Sequence, residues 1–139
     1  MNKEKQGIGI RALSIILDTI VLGILFYIIG AIYAGGLTYN IQFYGTEAIA
    51  AGGLVSLVGF LYFVLLEGLK GQTLGKMATG IKVVKENGEP CDLISSLIRN
   101  ILRIIDGIFA YIVGAIIIAN SENNQRLGDI AGNTIVVKK

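Results

Sequence analysis

Two long apolar stretches predict two helices that cross a bilayer. The first covers residues 12–34 and contains a single charged residue, Asp18, whereas the second covers residues 48–66 and contains none. A helix needs about 20 predominantly apolar residues to traverse the hydrocarbon core, and both stretches reach about that length. The pattern therefore predicts an all-α integral membrane protein with two transmembrane helices, organised as one domain over residues 1–139.

A third hydrophobic region, residues 93–119, is long enough to span but carries Arg99, Arg103 and Asp106 in its first half. These three residues follow one another at helical spacing, so they form one polar stripe on an amphipathic helix. The uncharged remainder is too short to cross alone. Two geometries follow: one long tilted helix that crosses, or an interfacial helix that leads into a re-entrant segment.

The distribution of basic residues predicts the orientation. The segment between the two predicted spans contains no Lys or Arg. Basic residues precede the first span and follow the second: Lys3, Lys5, Arg11, Lys70, Lys76, Lys82 and Lys85. By the positive-inside rule, the N-terminus and the loop over residues 70–91 lie in the cytoplasm.

The polar tail over residues 120–139 ends in NTIVVKK, which is similar in pattern to GIKVVKENGE in the cytoplasmic loop. Alternating β-branched residues beside an Asn-Gly turn signal are typical of strands. We therefore predict a small cytoplasmic strand element. Pairing requires both segments on one side of the membrane, which favours the re-entrant geometry.

The segment GQTLGK fails as a phosphate-binding loop, because its spacing is one residue short and no Ser or Thr follows the lysine. It predicts instead a turn and a short amphipathic piece. Leu74, Met77 and Ile81 would face lipid, while Lys76 and Lys82 would face headgroups. Just before it, Glu67 and Lys70 are most simply a boundary marker at the end of the second span.

Composition excludes several chemistries. The chain has 139 residues, of which 53% are hydrophobic and 16% charged, with a net charge of +2, one Cys and no His. The commonest general base and metal ligand are thus missing, and an intramolecular disulfide is impossible. No nucleophile and base pair is visible. We predict neither an enzyme nor a cofactor, metal or nucleic-acid site.

Asp18 carries most of the functional information. A carboxylate in mid-bilayer costs about 2.5–3.5 kcal/mol on insertion scales, so a compensating partner is expected. Arg11 lies on the same helix face, but roughly 10 Å away. The candidates are an arginine from the third region or the tail (Arg99, Arg103 or Arg126), a bound cation, or a proton that leaves the carboxyl neutral. A fixed arginine would make a structural pin, whereas exchange of a proton or cation would make a transport site.

Asp106 poses a milder form of the same question. Its spacing from Arg103 permits a local ion pair. An amphipathic helix with paired or solvated charges at the interface is therefore the simpler interpretation, and an ion-handling site is the alternative.

These motifs resemble the RDD family of small bacterial membrane proteins, named for one arginine and two aspartates. The resemblance rests on the Arg and Asp of the first span, on GQTLGKMATGIKVV, on RNILRIID and on QRLGDIAGNTIVV. It assigns Arg11, Asp18 and Asp129 to the family's residues, with Asp106 as the rival second aspartate. It implies a multi-pass protein of the bacterial inner membrane with a role in transport, and cation/proton antiport has been proposed for some members.

We therefore expect transport, in the form of cation/proton exchange, centred on Asp18, Arg11 and Asp129. Supporting charges are Arg99, Arg103 and Arg126. Two or three membrane segments cannot enclose a pathway, so a homo-oligomer or another membrane subunit is expected, with monovalent cations and protons as substrates. The alternative is a non-catalytic scaffold or accessory subunit whose Arg and Asp residues are structural.

Overall fold

The computed structural model describes residues 4–33, 44–108, 116–118, 120 and 125–139. The described chain is mostly helical. Its elements are α1 (Ile8–Tyr33), α2 (Gly45–Lys70), α3 (Leu74–Ala78), β1 (Ile81–Lys85), α4 (Leu93–Ile108), α5 (Leu127–Ala131) and β2 (Thr134–Lys138).

The prediction of two long apolar helices is confirmed. The most apolar windows of α1 and α2 have mean hydropathies of 2.5 and 2.3, yet only 11% and 6% of those windows is buried against protein. The core helix of a soluble protein would instead bury such a surface. Both helices are therefore long enough and apolar enough to lie in a bilayer, and most of their apolar surface is not covered by protein.

Both helices are longer than the sequence predicted. α1 begins at Ile8 instead of residue 12, and α2 covers Gly45–Lys70 instead of 48–66. The end of α2 has a local cause, because Gly71 adopts a left-handed conformation and donates its N–H to the carbonyl oxygen of Glu67. The extra turn carries Glu67 past the uncharged segment and into contact with later parts of the chain.

The first half of the third hydrophobic region forms α4. The Asp92 carboxylate accepts a hydrogen bond of 2.7 Å from the backbone N–H of Ser95, which caps the first turn. Ser96, Arg99 and Asn100 are buried on one face, while Ile94, Leu97 and Ile101 are exposed on the other. This is the predicted amphipathic pattern. Residues 109–115 lie outside the described residues, so crossing and re-entry both stay predictions.

The two strand-like segments form β1 and β2, which pair antiparallel with Val83 opposite Val136. Ile81, Val83, Cys91 and Val136 form a buried apolar cluster at this sheet. The expectation that Ile81 faces lipid is therefore wrong, because this residue of β1 is 1% exposed and belongs to the buried cluster. The side of the membrane on which the sheet lies stays a prediction.

The likeness between the two strands extends into the helices before them. QTLGKMA precedes β1 and QRLGDIA precedes β2, and in both segments a short helix leads directly into the strand. The short helices have parallel roles: α3 packs against α1, and α5 packs against α4. Val83 and Val136 occupy equivalent positions and pair with each other, so the sheet has an approximate two-fold relation between two similar units.

Candidate functional site

Three buried acids lie where the helices meet the short segments. Asp18 on α1, Glu67 on α2 and Asp129 on α5 are each 0% exposed. An uncompensated charge is costly in such surroundings, so the partners of each carboxylate define what it can do.

Asp18 is held by neutral donors. Tyr62 donates its hydroxyl to Oδ1 at 2.7 Å, Thr73 donates its hydroxyl to Oδ2 at 2.6 Å, and the backbone N–H of Gly75 donates to Oδ1 at 2.7 Å. The arginines considered as partners from the sequence bind other acids instead. Asp18 therefore fastens the start of α3 to α1 through hydrogen bonds and forms no ion pair with any residue that the structure describes.

Glu67 is the acceptor for three cations. Lys76 binds Oε1, Arg103 binds the same oxygen through Nη2 at 3.1 Å, and Arg99 binds Oε2 through Nε at 3.2 Å. Arg103 also places its guanidinium 4.0 Å from the centre of the Phe63 ring. The expectation that Glu67 marks the membrane boundary with Lys70 is wrong, because its side chain is fully enclosed.

Asp129 is the second ionic centre. Its Oδ2 lies 2.5 Å from Nη1 of Arg11, its Oδ1 lies 2.5 Å from Nη1 of Arg99, and Arg126 Nη2 is 3.9 Å from Oδ1. Arg11 and Asp129 are separated by nearly the whole chain, so this pair fixes the start of α1 against α5. The sequence had selected all four of these residues without showing that they meet.

Arg99 joins the two ionic centres. It binds both Glu67 and Asp129, and its Nη1 also donates to the Thr134 hydroxyl at 2.6 Å. α2, α4, α5 and β2 are thus connected through a guanidinium that is 1% exposed. The planar fork of arginine suits such a bridge because its several N–H groups point in fixed directions.

Two glycines permit the close packing that this cluster requires. A Cβ on Gly75 would lie 2.2 Å from the Ser14 carbonyl oxygen and 2.8 Å from Asp18 Cγ. A Cβ on Gly128 would lie 2.7 Å from the Arg99 carbonyl oxygen. Each short helix therefore touches the backbone of a long helix at the Gly of its Leu-Gly pair.

The electrostatics outside the long helices follow from burial and pairing. Burial alone would raise the pKa of Asp129, but Arg99, Arg126 and Arg11 together hold it below its ordinary value. Burial lowers the pKa of Lys76 to about 8, although Glu67 beside it favours the charged form. Lys76 is 4% exposed, so the expectation that it faces headgroups is also wrong.

The sequence pointed to the arginines, Asp18 and Asp129 but not to several residues that complete their network of contacts. Glu67, Lys76, Tyr62 and Thr73 were not selected as site residues. A usable signal existed, because Glu67 is an acid at the end of an apolar helix and Lys76 follows within reach. The side chain of Asp106 lies outside the described residues, so its predicted pairing with Arg103 is not described.

In the part of the chain that the structure describes, the arrangement contains no group of three or more His, Cys, Asp or Glu side chains that could hold a metal ion. Its acids are instead occupied by cations or hydroxyl donors. The cluster can hold helices together and can retain a charge or proton away from water.

Two apolar helices have little of their surface buried against protein, and a buried charge cluster joins them at one end. These features define a membrane-like protein with two candidate spans. The sequence matches the RDD family over residues 6–133, and the chain belongs to that family. It is similar to the uncharacterized protein YxaI of Bacillus subtilis (strain 168), with 31% identity over 152 aligned residues that cover 99% of each chain. No solved structure matches it.

Proposed function

We propose that the protein acts in membrane transport, as a cation/proton exchanger in which Asp18 is the ion-handling group. The observation that carries this proposal is the difference between Asp18 and the other two buried acids. Glu67 and Asp129 are paired with several cations, which fixes them in the charged form. Asp18 has neutral donors around it, so gaining a proton or exchanging it for a cation breaks no ion pair.

The chemistry around Asp18 suits such an exchange. The hydroxyls of Tyr62 and Thr73 can donate to a carboxylate and can also turn to offer an oxygen lone pair to a monovalent cation. Both residues lie within hydrogen-bond distance of Asp18, at 2.7 and 2.6 Å. Oxygen ligands of this kind are what hard cations prefer.

The position of Asp18 supports the same proposal. Leu13 and Ile16 are 47% and 55% exposed, and Ile20 is 54% exposed, so apolar surface lies on α1 both before and after Asp18. Asp18 is therefore flanked by apolar surface on a helix that we place in the bilayer. Two helices do not surround a pathway, so we expect a homo-oligomer or a second membrane subunit to complete one.

A second candidate function is a non-catalytic scaffold or accessory subunit. The favouring observation is that Arg99 ties Glu67 to Asp129 and Arg11 ties α1 to α5. In this view the buried charges only fasten the helices, and Asp18 only caps α3.

The test is ion exchange by purified protein in liposomes that contain a pH-sensitive dye. Adding Na⁺, K⁺ or Li⁺ outside is expected to change the internal pH with wild-type protein and to have no effect with Asp18→Asn. Glu89→Gln makes the same change in charge at an exposed turn and should behave as wild type. Each variant is first shown to insert and to keep the wild-type size-exclusion profile.

The outcomes separate the two candidates. Exchange that survives in Asp18→Asn would remove Asp18 from the mechanism. Wild-type protein that moves no protons, with Asp18→Asn only less stable to heat, would overturn the transport proposal and favour the scaffold.

A further inference from the structure

A small cavity lies inside the charge cluster, and its wall is unusually basic. The cavity measures about 10 Å³. Five cationic side chains line it, together with Ser14, Ile15 and Val136: Arg11, Lys76, Arg99, Arg103 and Arg126. Positive charges that are buried close together repel one another, so this concentration of basic side chains requires compensation by negative charge.

The carboxylates in contact with these cations do not balance them. Among the described side chains, Glu67 and Asp129 are the acids that pair with the five basic residues. Asp18 is occupied by Tyr62, Thr73 and the Gly75 N–H. The described cluster therefore carries more positive than negative charge in a place that water barely reaches.

Several side-chain donors of the residues that line this cavity have no hydrogen-bond acceptor. Nη2 of Arg11, Nη2 of Arg99, Nε and Nη1 of Arg103, and Nε of Arg126 are buried without a hydrogen-bond partner. Arg11, Arg99 and Arg126 are only 6%, 1% and 8% exposed. Buried N–H groups in folded proteins nearly always have an acceptor, and those of a cation incur the largest penalty when they lack one.

We propose that this cavity is a binding site for one small monovalent anion of chloride size. A space of about 10 Å³ holds roughly one water-sized occupant, which excludes a whole phosphate or carboxylate group. A water molecule would satisfy some donors but would leave the excess charge. A halide accepts from several N–H groups at once and also neutralises part of that charge.

The site would connect the elements that form the cluster. Its wall draws side chains from α1, α3 and α4, with Arg126 immediately before α5 and Val136 from β2. A bound anion would therefore stabilise the assembled cluster and have no site in the unfolded chain. Asp18 does not line the cavity, so the inference stands independently of cation/proton exchange.

The test is ³⁵Cl NMR on the purified protein in detergent micelles after exchange into sodium gluconate. The ³⁵Cl resonance of added chloride is expected to be broadened by exchange with one saturable site per chain. Bromide at constant ionic strength is expected to reverse this broadening. Arg126→Gln removes a cation whose Nε lacks a partner and should weaken chloride affinity by about tenfold. Lys138→Gln removes an exposed cation, with a side chain 68% exposed, and should leave the affinity unchanged.

A second variant protects the test against misfolding. Arg103→Lys keeps the charge and removes the fork of donors, so it should weaken chloride binding while the far-UV spectrum stays that of wild type. The proposal is overturned if no saturable chloride signal appears, if folded Arg126→Gln and Arg103→Lys both bind as tightly as wild type, or if inorganic phosphate protects the protein from heat and halides do not.

Discussion

Glu67 provides the sharpest test of the buried charge cluster, because its one carboxylate forms ion pairs with three cations. Lys76 binds it closely, and the Arg103 and Arg99 nitrogens lie at 3.1 and 3.2 Å. Glu67→Gln keeps the shape of the side chain and removes its charge. Breaking a buried ion pair by removing one partner costs about 3–5 kcal/mol, because the remaining charge has no compensation. We expect a loss in that range, which is roughly two to three and a half powers of ten in the opening equilibrium.

The single cysteine supplies the assay. Cys91 is 4% exposed and packs with Ile81, Val83 and Val136, so a thiol reagent reaches it only when the sheet region opens. When closing is fast relative to labelling, the labelling rate follows the population of the open state. Glu67→Gln should therefore label at least about a hundredfold faster than wild type under native conditions.

Two comparisons show whether the charge is responsible. Glu89→Gln changes an exposed acid and should stay within about 0.5 kcal/mol of wild type. Adding Lys76→Met to Glu67→Gln should recover part of the loss, because the double variant no longer leaves that ammonium buried without its acid. If folded Glu67→Gln labels at the wild-type rate, the buried charge cluster does not hold this part of the molecule together, and our reasoning is refuted.

Two further predictions concern the packing and the charge of the short helices. Gly75→Ala should destabilise the protein by about 1–3 kcal/mol in a thermal melt, because the added Cβ would meet the Ser14 carbonyl oxygen. Gly53→Ala is the control and should not destabilise the protein, because nothing lies within 4 Å of the added Cβ. Equal melting temperatures for the two variants would contradict the close packing at Gly75. Since the pKa of Asp129 is lowered in the folded state, the stability it contributes is present above the ordinary carboxyl pKa and is lost as the pH falls through the folded value. Circular dichroism melts at decreasing acidic pH should show this loss in wild type and a shallower dependence in Asp129→Asn, and identical slopes would contradict the pairing of Asp129 with Arg11 and Arg99.

The local features were predictable because they depend on neighbouring residues. The long apolar runs and the polar stripe of α4 follow from the periodicity of apolar and polar residues along the chain. The Asn87-Gly88 turn signal also corresponds to the turn after β1, where Gly88 has φ of 88°. The errors fell on Glu67, Lys76 and Ile81. When only adjacent residues are considered, the first two look like boundary charges and the third looks like a side chain that faces lipid.

From the sequence alone, two helices are apolar enough to enter a bilayer, charge is scarce, and Asp18 lies inside the first helix with Arg11 on the same face; the family resemblance added Asp129. The tertiary structure alone decided the partners. It assigned Arg11 to Asp129, three cations to Glu67, and neutral donors to Asp18. The physical reason is that a buried charge is compensated by whichever group the fold brings within about 3–4 Å, and such distances between remote residues are not encoded in spacing along the chain.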